Sequence, residues 1–252
     1  MERKIRVGTV SYLNSKPLIF GMEQGMLKDE VQLLYDYPAR IAAALVAGDI
    51  DLGLIPVAAI PRVKGAHIIS RYGIGASQPV ASVCLFSDVP LQEIQTILVD
   101  YQSRTSAALL QVLLREYWKI TPALVQASEG YLNEIKGNVA GLVIGDRALR
   151  QRLVNPYIFD LAEAWQAHTG LPFLFAAWVA NKELPASFIE KFEAANAVGF
   201  DHLQEIADAN PFPDYSLMNY FTQNIDYKVD AHKLRGMELF LEKIKENVEP
   251  GR

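Results

Sequence analysis

Along most of the chain, short apolar and β-branched runs alternate with stretches whose apolar residues recur at helical spacing, the pattern of βα units on a mostly parallel sheet. In the first half this predicts strands at Ile5–Val10, Val31–Tyr35, Leu52–Ile55 and His67–Ser70. Between them, Ile41, Ala42, Leu45 and Val46 mark one face of a helix that begins at Pro38 and is stopped by Gly48. The second half repeats the plan, with strands at Thr96–Val99, Ala123–Gln126, Gly141–Ile144 and Tyr157–Phe159 and helices over Thr105–Tyr117 and Arg147–Leu153. Beyond Asn181 the pattern becomes helical, over Ser187–Ala209 and Ala231–Asn247, with the turn-rich Asn210-Pro211-Phe212-Pro213-Asp214 between.

The halves also match in detail. Gly48-Asp49-Ile50-Asp51 followed by Leu52–Ile60 lies over Gly137-Asn138-Val139-Ala140 followed by Gly141–Leu149, each reading as helix stop, buried strand and sharp entry into a further helix. Two long apolar segments, Val80–Phe86 and Phe173–Ala180, flank the second set of βα units and read as paired crossing strands of a hinge. The expected organisation is α/β with two lobes: residues 1–85 and 176–252 form one discontinuous lobe, and 86–175 form a second lobe inserted into it.

Half of the residues are hydrophobic, enough for a sizeable core, and the formal charge of -5 comes with dispersed Lys and Arg. No basic patch marks a nucleic-acid partner. The single Cys84 excludes an internal disulfide and reads as a buried small hydrophobe. Met1–Gly8 lacks the apolar segment and small-residue cleavage site of a secretory signal, and no apolar run is long enough to cross a bilayer, so a cytoplasmic protein without a membrane partner is expected. The pattern sets no oligomeric state.

In open α/β sheets, ligands bind where strand carboxyl ends lead into helices whose free backbone N–H groups attract anions. That rule selects four loops: Ser11-Tyr12-Leu13-Asn14-Ser15-Lys16, Pro56-Val57-Ala58, Tyr101-Gln102-Ser103-Arg104-Thr105-Ser106 and Gly145-Asp146-Arg147. Arg104 offers bidentate recognition of a carboxylate, and the hydroxyls of Ser103, Thr105 and Ser106 suit a helix cap; the same residues would serve equally as a capped helix with a solvated arginine. Asn14 can donate and accept, and Ser82 lies in the first apolar crossing segment. There is no phosphate-binding Gly-rich loop, no His-Glu-x-x-His and no nucleophile elbow. His67, His168, His202 and His232 are too dispersed to form a ligand set, so no metal site is expected. Asp49 and Asp51 fall at the base of a strand, away from the cleft, and read as solvated. Trp165, Phe173, Phe175 and Trp178 read as core, although a ring near the hinge could stack on a planar ligand.

The run Val10-Ser11-Tyr12-Leu13-Asn14-x-x-Pro17-Leu18 resembles the opening motif of the chorismate dehydratases of the futalosine route to menaquinone. Gly48-Asp49-Ile50-Asp51-x-Gly53-Leu54-Ile55-Pro56, Pro79-Val80-x-Ser82-Val83, Ser103-Arg104-Thr105-Ser106, Gly145-Asp146-x-Ala148-Leu149 and Trp165-x-x-x-Thr169-Gly170-Leu171-Pro172-Phe173 resemble that family in the same order, over roughly residues 7 to 180. One departure is Ala76-Ser77-Gln78 before Pro79, where the family often carries a glycine.

The resemblance implies a periplasmic-binding-protein-like type II fold, with its two lobes joined by hinge strands, acting as a cofactor-free hydro-lyase on chorismate. It implies that Asn14 and Ser82 hold the reacting face, and that the loop from Ser103 to Ser106 takes a carboxylate, with Arg104 or Arg147 supplying charge. Ser11, Tyr12, Pro56, Thr105, Gly145 and Asp146 would complete the substrate-binding set. Two competing readings are a carboxylate-binding protein of the same fold and 1,4-dihydroxy-6-naphthoate synthase, which relies on a histidine base that the selected loops lack.

Overall fold

A computed structural model describes residues 3–245. The first sheet has six strands in the order β11-β4-β10-β3-β1-β2. They are β1 (Ile5–Thr9), β2 (Val31–Tyr35), β3 (Leu52–Pro56), β4 (His67–Ala76), β10 (Phe173–Ala180) and β11 (Asp226–Lys228). The second sheet has five strands in the order β7-β6-β8-β5-β9. These are β5 (Val83–Ser87), β6 (Thr96–Val99), β7 (Ala123–Gln126), β8 (Val139–Ile144) and β9 (Tyr157–Asp160).

The predicted duplication is visible in the pairing. In the first sheet β1 runs parallel to both β2 and β3, and β10 joins β3 antiparallel. In the second, β6 runs parallel to both β7 and β8, and β5 joins β8 antiparallel. Gly48 and Gly137, the two matched stops, both have positive φ, at 80° and 54°, where a side chain would be strained.

The two long apolar segments do not pair with each other. β10 lies between β3 and β4 in the first sheet, whereas β5 lies between β8 and β9 in the second. Each is apolar along its length because it is an interior strand buried on both faces, not because it crosses between lobes. Boundaries at 85/86 and 175/176 therefore pass through strands that each belong to a single sheet. The chain crosses from sheet to sheet in the short segments 77–82 and 170–172. Strand structure cannot begin at Val80, because Ala81 takes φ 63° and its N–H donates to Asp160 Oδ2 at 2.7 Å.

The helices fall close to their predicted spans. α1 (Lys16–Glu23) follows β1, α2 (Pro38–Ala47) runs to the left-handed Gly48, and α3 (Arg104–Leu113) continues into a π turn at Leu114–Trp118. α4 (Asp146–Gln151) and α5 (Leu161–Thr169) complete the second lobe. The long helical stretch after Asn181 divides at His202 into α6 (Ala186–Asp201) and α7 (Leu203–Ala209). The short α8 (Leu217–Asn219) and α9 (Ala231–Lys245) follow; the last two residues of the predicted Ala231–Asn247 helix lie outside the described residues.

α6 returns onto α1 at very close range. A Cβ on Gly199 would stand 1.8 Å from the carbonyl oxygen of Pro17, and one on Gly21 would stand 2.3 Å from that of Ala195. This contact fixes the helix that follows the first site loop. Trp178 of β10 is fully buried and donates from Nε1 to Asn196 Oδ1 of α6 at 2.8 Å.

Asp51 corrects the sequence reading, which had it solvated. It is buried at the base of β3, and its carboxylate takes Lys182 Nζ at 2.7 Å, the Arg6 backbone N–H at 2.9 Å and Arg3 at 3.2 Å. Burial alone would raise its pKa, but the bonds from Lys182 and Arg6 hold it well below the ordinary carboxylate value. Asp49 is exposed.

Candidate functional site

The carboxyl ends of β1, β3, β6 and β8 converge between the sheets, where they frame a cleft. Clefts at strand carboxyl ends are where open α/β sheets bind their ligands. Tyr12 and Asn14 come from the loop after β1, Pro56 closes β3, Ser103 and Ser106 open α3, Gly145 follows β8, and Ser82 ends the first crossing segment. Thus seven of the sequence-selected residues meet around one space. Phe175 adds its ring to the wall, while Trp165, Phe173 and Trp178 belong to the core.

The remaining selected residues are placed differently. Ser11, Asp146 and Arg147 line a wider depression that opens to the outside and shares Tyr12 and Ile144 with the cleft. Thr105 is buried and accepts a hydrogen bond at Oγ1 from the Ala58 N–H at 3.0 Å, tying the second half to the loop after β3. Arg104 is exposed at the first turn of α3 and lines neither space.

The expected positive charge is not in the cleft wall: among the described residues, no Lys or Arg lines it. Arg147 is committed instead to Asp100, at 2.6 Å from Oδ2, and to Gln102 Oε1 at 2.8 Å. What the wall offers an anion is polar hydrogen. Ser103 Oγ accepts the Ser106 N–H at 3.2 Å and pairs with Ser106 Oγ at 3.0 Å, capping α3, while the first-turn N–H groups of that helix add the positive end of its dipole.

Several bonds join the halves around the cleft. The Tyr12 hydroxyl donates to Gln102 Oε1, and the Leu13 N–H donates to Asp146 Oδ1 at 3.1 Å. Burial pushes Asp146 above the ordinary carboxylate pKa, against the opposing pull of the Leu13 N–H and Arg150. Burial also raises the Tyr12 phenol, with Asp100 adding to the effect, so Tyr12 is a neutral donor at physiological pH.

One residue of the wall's support was not selected from the sequence. The hydroxyl of Tyr220, fully buried just after α8, donates to Ser82 Oγ at 2.7 Å. Burial keeps Tyr220 protonated. Asn14 Oδ1, on the same cleft, is buried and has no partner among the described residues. Ser77 Oγ donates to Asp226 Oδ2 at 2.7 Å and Asn224 Nδ2 to the Pro79 carbonyl at 2.9 Å, so the segment from 220 to 226 clasps the crossing segment that carries Ser82.

Among the described residues, no group of three His, Cys, Asp or Glu is placed to hold a metal, and no helix is long and apolar enough to cross a membrane.

Two α/β sheets with a cleft at the facing strand ends define a two-lobed protein with a periplasmic-binding-protein-like fold. Solved structures agree on the fold. A protein of Archaeoglobus fulgidus superposes with a TM-score of 0.77 over 97% of each chain at 13% identity. The periplasmic aliphatic sulphonate binding protein of Escherichia coli gives 0.65 over 98% of this chain and 93% of its own, at 17% identity. Within that class the chain belongs to the menaquinone biosynthesis family, whose model matches residues 5–246. It is also 24% identical to the chorismate dehydratase of Thermus thermophilus, over 94% of this chain and 93% of that one. The chorismate dehydratase of Campylobacter jejuni is 25% identical over 94% and 96%.

Proposed function

We propose that the chain is a chorismate dehydratase of menaquinone biosynthesis, a hydro-lyase that converts chorismate to 3-[(1-carboxyvinyl)oxy]benzoate. The observation that carries the mechanism is the chemistry of the cleft wall. It holds hydroxyls, one carboxamide and apolar surface, and no carboxylate, imidazole or amine. Such a wall orients a substrate but supplies no general base at neutral pH.

The base then travels with the substrate. The enolpyruvyl carboxylate takes the proton from ring C3, the C3–H electrons enter the ring, and the C4–O bond breaks as the ring becomes aromatic. The carboxylic acid so formed returns its proton to the departing hydroxide, and water leaves. Aromatisation drives the step, so the protein's task is to hold one conformer and exclude water and competing rearrangements.

Asn14 and Ser82 hold the reacting face, and Ser103, Ser106 and the first turn of α3 take the ring carboxylate, with Gly145, Tyr12 and Pro56 shaping the rest. Gly145 adopts φ 64°, and a Cβ there would sit 3.2 Å from the Tyr12 ring, so the close approach of these two loops depends on glycine. Arg147, Asp146 and Ser11 stand at the outer depression, on the path by which a dianion enters. Chemistry on a cellular metabolite is consistent with a cytoplasmic location.

The test is to mix purified protein with chorismate alone and follow it by mass spectrometry. Loss of one water is expected, with Asn14→Ala and Ser82→Ala each reducing turnover at least about tenfold. Wild-type turnover in both variants would remove the site assignment. Binding of chorismate without water loss would instead support a solute-binding role.

A further inference from the structure

We propose that Tyr220 is a positioning residue that fixes Ser82 as a donor, so that Ser82 together with the unpaired acceptor Asn14 Oδ1 addresses one hydroxyl of the bound molecule. The inference deepens the dehydratase reading and rests on it.

A phenol has one proton, and Tyr220 gives it to Ser82 Oγ at 2.7 Å. With that bond received, the Ser82 hydroxyl keeps its own proton for another acceptor, and among the described residues it has no other partner. Ser82 is almost wholly buried but lines the cleft, so its remaining partner must come from inside that space. Asn14 complements it. Its Oδ1 is buried and unpaired, and the residue lines the same cleft. An unpaired buried carbonyl is costly, and a ligand O–H removes that cost on binding.

One donor and one acceptor lining the same cleft match a hydroxyl group, which accepts through its oxygen and donates through its hydrogen. A carboxylate accepts only and would leave Oδ1 unpaired. On chorismate the matching group is the C4 hydroxyl, the group that departs. Ser82 then donates to the oxygen on which negative charge grows as the C4–O bond breaks, while Asn14 holds its hydrogen away from the ring. Tyr220 touches no reacting atom; its part is to prevent Ser82 from turning its proton back into the protein.

Tyr220→Phe deletes the hydroxyl and keeps the ring. In the chorismate assay its kcat should fall at least about tenfold while KM changes less than about threefold, because the lost alignment matters most as charge develops. The double variant Tyr220→Phe/Ser82→Ala should be no slower than Ser82→Ala alone, since Tyr220 acts through Ser82. Tyr227→Phe, which removes a buried hydroxyl outside the cleft, should leave kcat unchanged. A Tyr220→Phe enzyme with kcat within twofold of wild type, or a double variant in which the two losses multiply, would overturn the proposal while leaving the dehydratase reading intact. Wild-type protein that takes no water from chorismate would overturn both. Should the phenylalanine variant fail to fold, the wild-type protein supplies a second test by proton NMR. The Tyr220 hydroxyl should give a slowly exchanging downfield resonance that disappears in Ser82→Ala, and its persistence there would overturn the assignment.

Discussion

Arg147 and Asp100 meet at 2.6 Å beneath the outer depression, the carboxylate wholly buried and the guanidinium about a quarter exposed. The same carboxylate accepts the Tyr131 hydroxyl at 2.8 Å and the Gln102 N–H at 2.7 Å, so Asp100 organises the loop that leads into α3. Burial alone would lower the Arg147 pKa, but Asp100 raises it above its usual value, so the cation is permanent. Through Gln102 the pair reaches Tyr12 on the opposite lobe. Removing the cation while leaving the buried anion should therefore be costly. Arg147→Met is expected to lose about 3 kcal/mol of unfolding free energy, and Arg147→Met/Asp100→Asn substantially less. Urea unfolding of the two variants decides this; equal losses would show that the pair is not coupled.

A second prediction concerns the backbone contact of α1 with α6. Gly199→Ala places a methyl group against the Pro17 carbonyl, which cannot turn aside as a side chain would. The helices must separate, at a cost of about 3 kcal/mol or more. A thermal melt should show a drop of several degrees, with chorismate turnover reduced as well, because α1 carries the Asn14 loop. An unchanged melting temperature would contradict the packing.

Asp51 predicts a pH dependence. Its pKa is depressed in the folded state, so its stabilisation is fully present above the unfolded value of about 3.9 and is lost as pH falls through the lower folded value. Asp51→Asn should cost about 2 kcal/mol at pH 7, a loss expected for charged hydrogen bonds in a buried setting. The gap between variant and wild type should narrow steadily below pH 4. Denaturant titrations at pH 7, 5 and 3 measure it, and a gap that widens toward pH 3 would refute the assignment.

Tyr227 offers the opposite case. Its hydroxyl is buried without a partner among the described residues, and burial drives its pKa well up. Tyr227→Phe should stabilise the protein by about 1 kcal/mol, raising the melting temperature by roughly 2–4 °C. A clear loss of stability would mean that the hydroxyl has a partner.

These residues also mark how far the sequence can be read. β2, β6 and β7 were legible to the residue, because short apolar runs flanked by turn residues carry their own signal. β4 was legible only to Ser70, since Arg71, Tyr72, Gly73 and Gly75 interrupt the pattern. Gly73 and Gly75 are there because a Cβ would stand 2.7 and 3.0 Å from carbonyl oxygens of the neighbouring β10. Arg147 looked like a free cation beside the cleft, but its partner lies 47 positions earlier. Lys233 of α9 is buried with Asp226 at 2.6 Å and Asp230 at 3.3 Å, a pairing for which the helical pattern carries no signal. Strand-end geometry selected Asn14 and Ser103 because it depends on local order. Tyr220 had no such signal: it follows a turn-rich stretch and meets Ser82 from 138 positions away.

The two ends of that meeting are anchored to different sheets. Ser82 is held to the second sheet, by its carbonyl to the Gly145 N–H at 2.9 Å and by its neighbour Ala81 to Asp160. Tyr220 belongs to the chain that enters β11 at the edge of the first sheet. Rotation of one sheet away from the other about the 77–82 crossing would part them. An open molecule would then hold chorismate with Ser82 free to spin, and only a shut one would present an aligned proton. Reaction would be licensed by closure itself, so that a labile substrate is committed only once bulk water has been shut out.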